Sequence, residues 1–125
     1  MGKLFSKKYV DKWHTGKVKG SQFKFSADVY ASGAEVKAPF DGKIAHVYQD
    51  KTKCDGATLS SQFTLRETYI NAKGDRHFTG KAIALAHITT EQVPRHVTEG
   101  QSLGYVTGSF LHVSSKAAET LLEVL

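Results

Sequence analysis

Nine residues, Val36 to Ile44 (VKAPFDGKI), restrict the architecture of this 125-residue chain more than any other stretch. Val36 and Ala38 alternate with Lys37 and read as a strand. Pro39 lacks the amide hydrogen a ladder needs and ends it, and Asp41-Gly42 supplies turn chemistry before a second strand at Ile44. The pattern predicts a strand, a tight turn and a strand. About sixty residues later Val97 to Val106 (VTEGQSLGYV) again sets an acid-Gly pair, Glu99-Gly100, between apolar residues. Two such half-motifs predict a pseudo-duplicated β fold.

The rest of the chain agrees with an all-β, mainly antiparallel reading. From Gln22 to Tyr30, Phe23, Phe25, Ala27 and Val29 fall on one parity, with Lys24, Ser26, Asp28 and Tyr30 on the other. Residues 49–58 read as an exposed loop. Leu59 to Ile70 carries the longest strand signal, with Phe63, Leu65 and Tyr69 on one parity. Asn71 to Asp75 turns the chain back, and Lys81 to Ile88 (KAIALAHI) is expected to pair antiparallel with the strand before it, with Ile83, Leu85 and His87 on one face. Leu103 to Thr107 and Phe110 to Val113 close the sheet, separated by Gly108. Ser114 or Ser115 then caps a helix with Ala117, Ala118, Leu121, Leu122 and Leu125 at helical spacing, while Val124 falls off that stripe. The expected division is a basic N-terminal arm over 1–21, loosely ordered and pinned by Trp13, a β domain over 22–113, and a C-terminal helix over 114–125.

Charge is unevenly placed. The formal net charge is +5, yet residues 1–24 hold seven lysines against Asp11, so the remainder is slightly acidic. A basic arm of this kind is drawn to nucleic acid, anionic lipid or an acidic partner surface when it is not merely solvated. Cys54 is the sole cysteine, so no internal disulfide forms. No apolar run reaches the length of a membrane span and no signal-peptide pattern is present, which predicts a cytoplasmic or virion location. MGKLFS fits the pattern for myristoylation at Gly2, but so short a pattern is often met by chance.

The order Asp28, APFDG, ALAHI, VTEGQSLGYVTG and FLHV, running from about Lys24 to Val113, resembles the lysostaphin-type zinc peptidases that cut peptidoglycan cross-bridges. The resemblance implies a duplicated hairpin (duplicated hybrid motif) sandwich. It also implies a zinc site made of a His four residues before an Asp, that Asp, and the second His of a His-x-His pair. Carried over, Asp28 and His112 match two metal ligands and His87 matches a catalytic histidine. Lys24 stands where the first ligand is expected, and Phe110 where the other catalytic imidazole is expected. A cationic lysine cannot replace a neutral imidazole as ligand. The loop before the last strand is cut to Thr107-Gly108-Ser109. Rescue by His14 or His46 would be needed for zinc, so no cofactor is expected otherwise.

Those departures point to a catalytically inactive relative serving as a structural or cell-wall-binding module, such as a phage virion or tail component. Its partners would be peptidoglycan or a protein subunit, with assembly through the C-terminal helix; nucleic acid and a membrane span are not expected. The alternatives are an active zinc endopeptidase with a rearranged site, and a phosphocarrier-like domain with His87 as phosphoacceptor. The latter resemblance lacks its partner histidine within Leu59 to Ile70, and biotinyl and lipoyl carriers lack their tip lysine. In the plainest reading Asp28 pairs with Lys24 or a hydroxyl, and His87 and His112 are packed, hydrogen-bonded side chains.

Overall fold

Alternation of apolar and polar residues is realised as antiparallel pairing throughout the computed structural model, which describes residues 2–15, 23–48, 51–52, 58–59, 61–90 and 93–125. The strands are β1 (Val10–Thr15), β2 (Phe25–Tyr30), β3 (Glu35–Lys37), β4 (Gly42–Tyr48), β5 (Lys51–Thr52), β6 (Thr58–Leu59), β7 (Gln62–Ile70), β8 (Arg76–Ala86), β9 (His96–Val97), β10 (Ser102–Tyr105) and β11 (Leu111–Ser115), followed by helix α1 (Ala118–Val124). The main sheet runs β1-β2-β11-β8-β7-β4-β9, with β10-β3 and β5-β6 as two-stranded sheets. The all-β, mainly antiparallel expectation holds. Most of the expected 49–58 loop, including Cys54, lies outside the described residues.

The strand-turn-strand at Val36 to Ile44 forms, but its two strands do not pair with each other. β3 pairs with β10 and β4 with β9, so residues 38–41 form a corner between two sheets. The second half-motif turns the opposite corner, and the two interlock. Lys37 faces Ser102, and Gly42 faces Val97. Between them the Ala38 N–H donates to the Gln101 carbonyl (2.8 Å) and the Gly100 N–H to the Ala38 carbonyl (2.7 Å). The Asp41 carboxylate completes the join by accepting the Glu99 N–H at 2.8 Å. Pro39 sits where its missing donor costs nothing.

The inner face of the large sheet buries Ala27, Val29, Ile44, Phe63, Leu65, Ile83, Leu85, Val97, Leu111 and Val113. Val36 and Leu103 of the small sheet, and Leu121 and Val124 of α1, belong to the same core. Each fully buried side chain of this kind stabilises the fold by about 1.5–3 kcal/mol.

Leu4 is also fully buried there, and this corrects the picture of a loosely ordered arm. Its N–H donates to the Val124 carbonyl (2.9 Å) and its carbonyl accepts the Lys37 N–H (2.7 Å). The segment thus satisfies a helix-end carbonyl and a strand amide at once. Residues 10–15 then form an edge strand on β2, while Trp13 remains 44% exposed rather than serving as the pin.

The helix is shorter than expected and is capped differently. Ala117 occupies the N-cap and makes no capping bond with its own side chain, while the Ser115 hydroxyl donates to the Ala82 carbonyl and accepts the Ala117 N–H at 3.4 Å. Val124, expected to be left uncovered, is fully buried beside Leu121; the residue left outside is Leu122, 60% exposed. α1 packs on β2, β8 and β11, which covers the 121/124 side of the helix.

β7 and β8 join through a tight turn at 71–75, because β8 begins at Arg76 and not at Lys81. The Asn71 side chain accepts the Lys73 and Asp75 N–H groups, and Gly74 takes the positive φ of 85° that the turn requires. Between Arg66 and Thr68 the ladder is irregular, with two extra residues on the β8 side, and beyond it the burial departs from the expected parity: Thr68 is buried and Tyr69 is 51% exposed. β10 and β11, expected to close one sheet, lie in different sheets.

Close approach of β4 to β7 explains Gly42, where a Cβ would lie 2.6 Å from the Arg66 carbonyl oxygen. Gly42→Ala is expected to cost about 1–3 kcal/mol, read from the urea midpoint. Leu121→Ala should cost about 2–5 kcal/mol and Leu122→Ala less than about 0.5 kcal/mol in the same measurement.

Candidate functional site

Because Ala27, Val29, Leu111 and Val113 point into the core, Asp28 and His112 must point outward from β2 and β11. They stand directly opposite each other in the β2–β11 register. The result is a hydrogen bond of 2.6 Å between His112 Nδ1 and Asp28 Oδ1. The Asp28 side chain is 14% exposed and that of His112 38%. Lys12 of β1 faces Asp28 from the other side, and Ala86 of β8 faces His112. A small alanine there leaves the imidazole open to solvent on its β8 side.

An ionised carboxylate only accepts hydrogen bonds, so in the neutral ring His112 Nδ1 is the donor and the lone pair falls to Nε2. The pair therefore fixes ring orientation and tautomer and presents a basic nitrogen at the surface of the sheet. Catalytic constellations orient a base by a contact of this kind, but no nucleophile among the described residues is bonded to this one.

His87 lies elsewhere in this neighbourhood. β8 ends at Ala86, and His87 takes a positive φ of 65° with its N–H donating to the Ser61 carbonyl (2.8 Å) and its carbonyl accepting the Thr107 N–H (2.9 Å). It therefore does not continue the Ile83–Leu85 face as expected. Its ring packs edge-on against Phe110 at 4.9 Å, and Phe110 packs on Tyr30 at 5.6 Å. An aromatic row thus occupies the place where the peptidase likeness would put an imidazole.

Among the described residues the implied zinc ion finds two of its three expected ligands, Asp28 and His112, with Lys24 at the third position. Two ligands of one tetrahedral zinc, each about 2.0–2.2 Å from the metal, lie about 3.3 Å apart. Asp28 and His112 are closer than that because a shared proton joins them. Lys24 is exposed and just precedes β2, His46 is exposed in a bulged part of β4, and His14 pairs with Ser26 through its backbone while its side chain lies outside the described residues. Among the described residues no three His, Cys, Asp or Glu side chains are grouped to hold a metal.

Sequence reasoning missed Lys12 as a neighbour of Asp28, since residues 1–21 read as an arm. The β-prone residues Val10, Trp13 and Thr15 were the available signal. No family model, no curated protein and no solved structure matches the chain.

The Nδ1–H tautomer of His112 is expected in long-range ¹H–¹⁵N spectra above the histidine titration range. Asp28→Ala should shift the population toward Nε2–H, and an unchanged tautomer would show that Asp28 does not orient the ring.

Proposed function

We propose that the protein is a non-catalytic relative of the lysostaphin-type zinc peptidases, a duplicated-hairpin module that binds cell wall or another protein subunit. A phage virion or tail is the setting that suits it. The observation that carries the reading is the Asp28–His112 pair, joined at 2.6 Å at two positions of the likeness while Lys24 and Phe110 stand at two others. The interlocked corners at 38–41 and 98–101 support it, because a duplicated motif would pair its two halves in this way. Without a third ligand no metal-bound water is held or acidified, and without a second imidazole its proton has no acceptor.

Contact with another subunit falls to Leu122 and the hollow beside it, about 640 Å³, lined also by Lys3, Phe5, Lys7, Tyr9 and Trp13. Val124 takes no part, being core.

Four measurements test the reading. Protein purified without chelator should carry far less than one zinc per chain, and peptidoglycan zymograms with added zinc should show no clearing. Insoluble peptidoglycan should retain the protein in a pull-down. Lys24→His with Phe110→His should gain zinc binding before any rate. Zinc-dependent clearing abolished by His112→Ala would establish the active peptidase instead.

A further inference from the structure

All three arginines of the chain, Arg66, Arg76 and Arg95, gather at one place, although lysine supplies the other fourteen basic residues. Lys43 faces Arg66 across β4–β7 and faces His96 across β4–β9, so the three form one cross-strand row. Ile44, Leu65 and Val97 point inward, which sends the row to the outer face. Arg95 precedes His96, its carbonyl holding the Ile44 N–H at 2.9 Å. Arg76 lies close enough for its charge, with those of Arg95 and Lys43, to act on His96. That imidazole is held below the usual histidine value, first by loss of hydration and then by these three cations.

Like charges placed opposite each other on a sheet repel, and nothing in the core requires these residue types. Among the described residues none of the four cations makes an ion pair. Acids do line the hollow beside Thr68, but each is engaged: Asp41 by the Glu99 N–H, Glu67 by the Thr79 hydroxyl, and Glu99 by the Gly2 N–H. Two guanidinium groups are also held in place. Arg66 lies over the Phe78 ring at 3.8 Å, and Arg76 Nη1 donates to Thr68 Oγ1 at 3.2 Å. Such anchoring leaves the remaining N–H donors directed outward with less entropy to lose on binding.

We propose that the outer face at the β9 edge, built from Lys43, Arg66, Arg76, Arg95 and His96, binds a linear phosphate polymer through its charged oxygens. Guanidinium forks match phosphate oxygens two at a time, and neighbouring strands about 4.8 Å apart offer successive groups along a chain. None of these residues belongs to the Asp28–His112 site, so the inference stands apart from the peptidase likeness.

The test uses the full chain and fluorescently labelled inorganic polyphosphate, read by anisotropy over a salt series. Affinity should fall with salt at a log–log slope of about −3 if four cations meet phosphates. The variant Lys43→Gln/Arg66→Gln/Arg95→Gln should bind at least about 30-fold more weakly with a slope about 2 units shallower. The control Lys3→Gln/Lys7→Gln/Lys8→Gln removes the same charge and should stay within about threefold. Circular dichroism confirms that both are folded. Should the first variant fail to fold, Arg66→Lys/Arg76→Lys/Arg95→Lys keeps the charge and should still bind about 5- to 10-fold more weakly. Oligo(dT) should match polyphosphate per phosphate. Equal loss in the patch and control variants, binding of oligo(dT) alone, or equally tight binding of polyglutamate would each overturn the proposal.

Discussion

The backbone pairing between the two corners is the constraint on which the rest of the structure depends. Residues 38–41 and 98–101 exchange hydrogen bonds directly, and Asp41 closes the join by accepting the Glu99 N–H. A corner that crosses between sheets exposes backbone donors and acceptors that a hairpin would satisfy by itself. Here each corner satisfies the other, so neither is complete alone. The pairing also sets where β3 meets β10 and where β4 meets β9, and hence which side chains of both sheets face the common core.

Once the inner face is assigned, the outer face follows by alternation, and both groups of functional interest are products of that register. Asp28 meets His112 because Ala27 and Val29, with Leu111 and Val113, must point inward. Lys43, Arg66 and His96 fall into one row because Ile44, Leu65 and Val97 do the same. A shift of one residue in either ladder would bury the charges and expose the core, at a cost far above the few kcal/mol by which domains are stable.

The two groups differ in how their charges are settled. At the Asp28–His112 pair an acceptor and a donor meet at hydrogen-bonding distance, which orients a ring. At the β9 edge four cations share a surface without ion pairs among the described residues, and two are steadied by an aromatic face and a hydroxyl.

Local periodicity and turn chemistry were enough to read the β character, most strand positions, the turn at Asn71 to Asp75 and the outward placement of Asp28. These depend on residues within a few positions of one another. Reading β1 as an arm and Val124 as uncovered went astray because Leu4, Val124 and Lys37 are joined by backbone hydrogen bonds between chain ends, which no local pattern encodes. Tyr69, on the parity of Leu65, is nevertheless exposed, beyond an irregularity of the β7–β8 ladder. Asp28 and His112 were legible as residues, but their hydrogen bond spans 84 positions and exists only because β2 and β11 are neighbours. Beyond residue 24 the chain is slightly acidic in sum, so its sequence conceals the cationic edge. Only the tertiary structure decided that, because strand pairing collects Lys43, Arg66, Arg76 and Arg95 from four separate stretches while their acids are drawn into hydrogen bonds elsewhere.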